Sequence, residues 1–196
     1  MEIALYIIAV VIAYLIGNIS PAIILGKIKG VDIKKEGSGN AGTTNVLRVL
    51  GKKYAVITLI VDILKGVLAV ALSYFILAYY PVVATCAVAV FIGHVFPVFH
   101  KFKGGKGVAT AFGAALAINW QLALISLGIA ALGLLVSKRM SVGSILAAIS
   151  FGVLSWFMAP DFFWYALVIV VIILWGHRAN IVRLCKGEEP KMSFKK

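Results

Sequence analysis

Uninterrupted apolar runs, each closed off by a short polar segment, follow one another from Ile3 to Gly176. A helix that crosses a bilayer needs roughly 20 predominantly apolar residues, within a range of about 17–25. Seven runs meet or approach that length: Ile3–Leu25, Tyr54–Tyr79, Val82–Phe99, Val108–Ile118, Leu122–Ser137, Val142–Met158 and Phe162–Gly176. The first has no basic segment before it and no small-residue cleavage site after it, so it reads as a retained helix and not as a removed signal peptide. The fourth is short. About 11 residues at 1.5 Å each reach only about 16 Å, against a hydrocarbon core of about 30 Å. Ala109, Gly113 and Ala117 recur through it at helical spacing, and small residues so placed let another helix approach closely. This run is expected either to be lengthened by its neighbours or to be a partial helix shielded by protein.

The charges alternate with the runs. Lys27, Lys29, Lys34, Lys35, Arg48, Lys52 and Lys53 separate the first run from the second, and Lys101, Lys103 and Lys106 separate the third from the fourth. Lys138 and Arg139 separate the fifth from the sixth, and Arg178, Arg183, Lys186, Lys191, Lys195 and Lys196 follow the seventh. Only Lys65 of the 19 basic residues lies elsewhere, inside the second run. Cytoplasmic loops collect Lys and Arg. The chain is therefore predicted to be an all-α integral membrane protein with seven transmembrane helices, its N-terminus outside and its C-terminus cytoplasmic. Residues 1–186 form one membrane domain, and 187–196 a short cytoplasmic tail without fixed structure.

Composition agrees, at 62% hydrophobic with a mean hydropathy of +1.05, where a soluble domain is about 45–50% apolar. A net charge of +12 suggests nucleic acid in a soluble protein. Here the charge sits in connections between apolar runs, which fits anionic lipid headgroups instead. Cys86 lies in an apolar run and Cys185 in the basic tail, with no CxxC and no Cys/His ligand spacing, so neither a disulfide nor a metal is expected.

The segment Gly37-Ser38-Gly39-Asn40-Ala41-Gly42-Thr43-Thr44-Asn45-Val46-Leu47-Arg48 carries the clearest chemistry. Its glycines let the backbone turn sharply and expose N–H groups, Thr43, Thr44 and Asn45 are good N-caps for a following helix, and Arg48 falls about one turn along. Donors, hydroxyls and a cation together make an anion cradle; the alternative is an ordinary glycine-rich loop. Lys103-Gly104-Gly105-Lys106-Gly107 opens the small-residue helix, where free N–H groups and the helix dipole favour a phosphate; the alternative is a basic loop touching headgroups. Neither segment has the spacing of a Walker A loop.

Asp62 and Lys65 share one helical face at i, i+3 and are expected to be a buried structural ion pair, since charges inside a membrane usually pair. His177, Arg178 and Asn180 stand where the seventh run ends, and a histidine there either contacts phosphate, acts as a base or is merely interfacial. His94 is expected to be structural, Ser141 to cap the sixth helix, and Asn18 and Ser20 to satisfy backbone groups freed by Pro21.

Together these residues resemble the bacterial acyl-phosphate-dependent glycerol-3-phosphate acyltransferases, the PlsY family. The likeness runs through Gly37–Arg48, Asp62-Ile63-Leu64-Lys65-Gly66, Gly93–Phe99 with Phe102–Thr110, Ser141-Val142-Gly143-Ser144-Ile145 and His177-Arg178-Ala179-Asn180-Ile181, in that order. Gly17-Asn18-Ile19-Ser20-Pro21 departs from the family's usual Gly-Ser-Ile-Pro pattern. The resemblance implies a multi-pass enzyme of the bacterial inner membrane that moves an acyl group from acyl phosphate to the 1-hydroxyl of glycerol 3-phosphate, with no cofactor, metal or obligate protein partner, as a monomer among membrane lipid. It implies catalytic roles for Ser38, Arg48, Lys106, His177 and Asn180. Phosphate contacts would come from Gly37, Ser38, Gly39, Asn40, Thr43, Asn45, Arg48, Lys103, Gly104, Gly105, Lys106, Ser141 and Ser144. Two other classes fit less well. A secondary transporter usually shows internal repeats, and none is visible; a membrane phosphotransferase would bring an acidic metal cluster, and the seven acids are scattered.

Overall fold

The computed structural model describes residues 2–192. Among them are ten α-helices and no strand, in two compact units that divide between Ile118 and Asn119.

The first unit holds α1 (Glu2–Asn18), α2 (Pro21–Ile28), α3 (Thr43–Leu50), α4 (Lys52–Ile76), α5 (Tyr80–Val95) and α6 (Val108–Ile118). Its first apolar run is broken in two because proline disfavours the helical conformation of the residue before it: Ser20 is extended and Pro21 starts α2. Neither expected side chain is seen to satisfy a group released by the break: Asn18 Nδ2 donates to the Tyr14 carbonyl inside α1 at 2.7 Å, and Ser20 makes no side-chain cap. Lys65 of α4 does, donating to the Ile19 carbonyl at 2.7 Å.

Glycines set how closely these helices pack. A methyl group at Gly17 would run into the Val90 carbonyl and one at Gly93 into that of Tyr14, so α1 and α5 touch backbone to backbone. Gly66 and Gly113 do the same for α4 and α6, against the carbonyls of Thr110 and Ile63. The short fourth run therefore keeps its 11 residues as α6 and lies against α4. Its buried residues are Thr110, Ala111, Gly113, Ala114 and Ala115, and Gly113, the centre of the expected small-residue stripe, packs against the Ile63 carbonyl of α4; Ala109 and Ala117 stay half-buried.

The second unit holds α7 (Trp120–Ser137), α8 (Met140–Met158), α9 (Phe163–Gly176) and α10 (Arg178–Cys185). Asn119 caps α7 by accepting the Leu122 N–H at 2.9 Å and donates to the Met158 carbonyl at 3.0 Å, tying the start of α7 to the end of α8. Lys138, at φ 58°, reverses the chain between them. Helix α10 was not foreseen, and the stretch after it is not a loose tail: Glu189 is buried and the Met192 N–H donates to the Lys138 carbonyl at 2.7 Å. Ser193–Lys196, the rest of that expected tail, lie outside the described residues.

All seven apolar runs are helical, but length and apolarity qualify five spans, Glu2–Ile28, Lys52–Ile76, Tyr80–His100, Trp120–Ser137 and Met140–Met158. Pro160–Gly176 and Arg178–Cys185, bent by 55°, add a sixth if they form one span. Large apolar side chains such as Ile7, Val11, Leu64, Leu68, Leu135 and Val171 stand exposed on these helices, as the lipid-facing surface of a membrane protein requires.

Candidate active site

In the first unit, the loop before α3 is built around Asn45. This side chain is fully buried; its Oδ1 accepts the Ser38 N–H at 2.8 Å and its Nδ2 donates to the carbonyls of Ile33 and Glu36, each at 3.0 Å. Gly37 and Gly39 take φ of 62° and 69°, the left-handed region that glycine enters without strain, and any Cβ at Gly37 would collide with the Asn45 amide. Helix α3 opens at Thr43 with Gly42 at its N-cap and no side-chain cap. The expectation for Asn45 is therefore corrected. It is neither cap nor phosphate ligand, because its amide is fully engaged in shaping the loop.

Several of the backbone donors offered to an anion are also engaged within the fold. The N–H groups of Gly39 and Gly42 donate to the carbonyls of Glu36 and Asn40, each at 3.0 Å. In the second loop, Gly104 and Gly105 donate to the carbonyls of Val95 and His94 at 3.0 and 3.2 Å. A methyl group at Gly104 would strike the His94 carbonyl, so these glycines serve close packing against the end of α5 and do not form an anion cradle with their N–H groups. What they achieve is juxtaposition. A Cβ at Gly105 would stand 2.8 Å from the Ala41 carbonyl oxygen, so the two glycine loops lie in contact. Around that contact are Ser38, exposed, with Asn40 and Thr43, half-buried, on one loop; Arg48, exposed, on α3; and Lys103, exposed, and Lys106, half-buried, on the other.

Beneath the second loop lies a buried polar cluster. Lys65 Nζ is 2.8 Å from Asp62 Oδ1, the expected ion pair, and it also lies 2.7 Å from His94 Nδ1. His94 Nδ1 is 3.3 Å from the same Asp62 oxygen. His94 is thus the third member of a buried cluster joining α4, α5 and the α1–α2 break.

The second unit gathers the other site residues. His177 ends α9 and precedes α10. It is buried, and its Nδ1 lies 2.8 Å from the Ile173 carbonyl. A carbonyl can only accept, so Nδ1 carries the proton and Nε2 is the basic nitrogen. Asn180 Nδ2 donates to Glu189 Oε1 at 2.7 Å. Arg178 turns away, donating to the Trp175 carbonyl at 3.0 Å and stacking over that indole at 4.1 Å. Ser141 is buried in the first turn of α8, with Arg139 and not Ser141 at the N-cap, a correction to its expected capping role; Ser144 is half-buried one turn on.

Glu189 is the residue of this cluster that sequence reasoning missed. It accepts from Asn180 and from Arg183 Nε at 2.7 Å, and Arg139 Nε donates to its carbonyl at 2.9 Å. Burial pushes its carboxyl up, but the polar surroundings of Ser141, Asn180 and Arg183 outweigh this and hold it below the ordinary range. A readable signal was present: an acid pair after Gly187 in an otherwise basic end, where the chain turns back. A carboxylate whose pKa is depressed on folding stabilises the fold above its unfolded value, about 4.3, and loses that contribution as pH falls through the folded one. Glu189→Gln should therefore lower Tm at pH 7, and the gap from wild type should close as the pH is taken below about 4. A constant gap across that range would separate the carboxylate charge from the effect.

The family model for glycerol-3-phosphate acyltransferase matches residues 7–187. The chain belongs to the glycerol-3-phosphate acyltransferase family. Proteins of that name from Clostridioides difficile and Photorhabdus laumondii are 44% and 40% identical to it, the first over 100% of both chains and the second over 93% of this chain and 84% of its own. Solved structures of PlsY (YgiH), an integral membrane glycerol 3-phosphate acyltransferase, in a glycerol 3-phosphate form and a lysophosphatidic acid form, superpose with TM-scores of 0.91 and 0.88. Both are 37% identical to this chain and match 96% of each chain. The acyltransferase family relationship thus extends over both units.

Proposed function

We propose that this acyltransferase takes its acyl group from acyl phosphate and transfers it to the 1-hydroxyl of glycerol 3-phosphate, giving lysophosphatidic acid and inorganic phosphate at a bacterial inner membrane. The observation that carries the reading is the contact between the two glycine loops, Gly105 against Ala41, which gathers Ser38, Arg48, Lys103 and Lys106 on adjoining segments of an apolar, helical unit. A phosphorylated lipid needs both a basic cluster and an apolar surface. The lysophosphatidic acid form of the similar structure supports the product.

Ser38, Arg48 and Lys106 hold the donor phosphate, with Lys103, Asn40 and Thr43 beside them; His177 and Asn180 hold the acceptor, with Ser141 and Ser144. The acceptor hydroxyl oxygen attacks the acyl carbonyl carbon, the bond from that carbon to the phosphate oxygen breaks, and the hydroxyl proton leaves on the departing phosphate as HPO4 dianion. A phosphate with a second pKa near 6 is a competent base at neutral pH. The protein supplies orientation and charge stabilisation, works as a monomer, and needs no metal or cofactor. A second reading, favoured by the Nδ1 bond to Ile173, gives the proton to His177 Nε2.

The test uses purified protein with acyl phosphate and glycerol 3-phosphate alone. Lysophosphatidic acid and phosphate should appear one to one, and acyl-coenzyme A or acyl carrier protein should not replace the donor. Turnover with acyl-coenzyme A and none with acyl phosphate would overturn the reading. Protein denatured after exposure to acyl phosphate alone should carry no acyl group, since no acyl-serine or acyl-cysteine forms. His177→Gln should chiefly raise KM; a fall in kcat of about 10²–10⁴ would favour the second reading, in which His177 is the base.

The proposed topology has seven crossings, with α6 as the short one shielded by α4, the N-terminus outside and the C-terminus inside. Cysteines introduced at Ser38, Lys103 and Ala179 should react with an impermeant reagent only from the cytoplasmic side. Labelling of two of them from outside would reverse it.

A further inference from the structure

We propose that the first unit carries a second anion site, adjoining the Ser38, Arg48 and Lys106 cluster but built on other lysines, that takes the phosphate headgroup of an acyl lipid; it does not rest on the acyl-transfer reading. The site is a cavity of about 520 Å³ bounded by the last turn of α2, the turn through residues 30–34 and the short 3₁₀ turn Val98–His100. Lys27, Lys34 and Lys101 line it, and Asp32 is the only acid in its wall.

One acid offsets only part of the charge of three lysines. Asp32 Oδ1 accepts the Lys34 N–H at 3.1 Å, and Oδ2 pairs with the exposed Lys35, outside the cavity, at 3.8 Å. Lys34 is fixed by one donor, Nζ to the His100 carbonyl at 3.1 Å. An ammonium has three donors and no acceptor, so a second partner must be an acceptor. Burial pushes the Lys34 ammonium below its ordinary range; Asp32 opposes this, while Lys103 and Lys101 add to it. Cations held this close with too little acid among them favour an anion.

The wall and rim say what kind. Ile23, Ile33 and Phe99 share the cavity with the lysines; Phe99 is 70% exposed, and Ile24 and Ile28 of α2, the helix that supplies Ile23 and Lys27, are 46% and 70% exposed. A free phosphate has no use for that apolar surface, but an acyl chain attached to a phosphate does. The volume lies within the roughly 300–1,000 Å³ range of small-ligand pockets. It suits a headgroup, leaving the chain to run over the exposed isoleucines.

The experiment titrates the purified full-length protein, in neutral detergent, with phosphatidylglycerol and with phosphatidylcholine, and reads bound lipid by native mass spectrometry. Wild type should prefer phosphatidylglycerol by at least about tenfold. Each lysine near an anionic headgroup is worth about fivefold, so Lys27→Gln with Lys101→Gln should remove most of the preference. Lys52→Gln with Lys53→Gln removes the same charge from the start of α4, outside the cavity, and should leave it unchanged. Equal losses in the two double variants would mean diffuse attraction and overturn the site. So would a wild type that does not discriminate, while displacement of the lipid by millimolar inorganic phosphate would assign the cavity to the free ion and overturn the acyl-lipid reading.

Discussion

Arg48→Ala and Lys106→Ala should each lower kcat/KM for acyl transfer by about one to two orders of magnitude while leaving folded yield intact. The size follows from the bond each is proposed to make, since a hydrogen bond between a charged side chain and phosphate contributes about 1.5–3 kcal/mol and every 1.4 kcal/mol is tenfold. The intact fold follows from position. Arg48 is exposed on α3, whose buried residues are Asn45 and Val46, and surface substitutions away from special features usually stay within about 0.5 kcal/mol. Arg48→Lys should recover only part of the loss, because lysine keeps the charge but cannot offer the planar two-donor fork. Asn45→Ala provides the contrast. It unties the loop by removing the acceptor of the Ser38 N–H and the donor to Ile33 and Glu36, so yield and activity should fall together. Rates measured per folded protein, by size-exclusion and steady-state assay, distinguish the two patterns. Wild-type rates in either Arg48→Ala or Lys106→Ala would remove the phosphate assignment from that residue.

The contrast marks where the sequence was legible. Apolar runs give helices because lipid offers no partner for a free backbone group, and every run marked from Ile3 to Gly176 is helical, with ends displaced by a few residues. The pair Asp62 and Lys65 was also readable, because charges in an apolar run must find each other within reach of one helical turn. Partners distant in sequence were not. Nothing local tells that His94 joins that pair across 29 residues, or that Ile19 accepts from Lys65 across 46. Composition misleads most in the glycine loops. The same residues suit a backbone anion cradle and a close helix–loop contact, and only the observed bonds of Gly104 and Gly105 to Val95 and His94 decide for the contact. Helix α10 was hidden for another reason. It is polar and eight residues long, too short to announce itself by periodicity, and its order comes from Glu189 folding back on Asn180 and Arg183.

Asp62→Ala should cut folded yield sharply, with activity per folded molecule falling no further than yield. Asp62, Lys65 and His94 are all buried, and Asp62 Oδ1 stands 2.8 Å from the ammonium and 3.3 Å from the imidazole. Removing one member of a buried ion pair typically costs about 3–5 kcal/mol, because the other is left as an uncompensated charge. Replacing both with apolar groups is often close to neutral. Asp62→Ala with Lys65→Met should therefore regain yield relative to Asp62→Ala alone. The recovery should be partial, because Lys65 also donates to the Ile19 carbonyl at the α1–α2 break, and that acceptor loses its partner. Lys65→Met alone should sit near Asp62→Ala, since it strands the carboxylate. The measurement is the monodisperse fraction of each variant after extraction, with turnover normalised to it. A well-folded Asp62→Ala protein without turnover would move Asp62 out of the structural cluster and into the chemistry, and no recovery in the double variant would show that the pair itself is not what the fold requires.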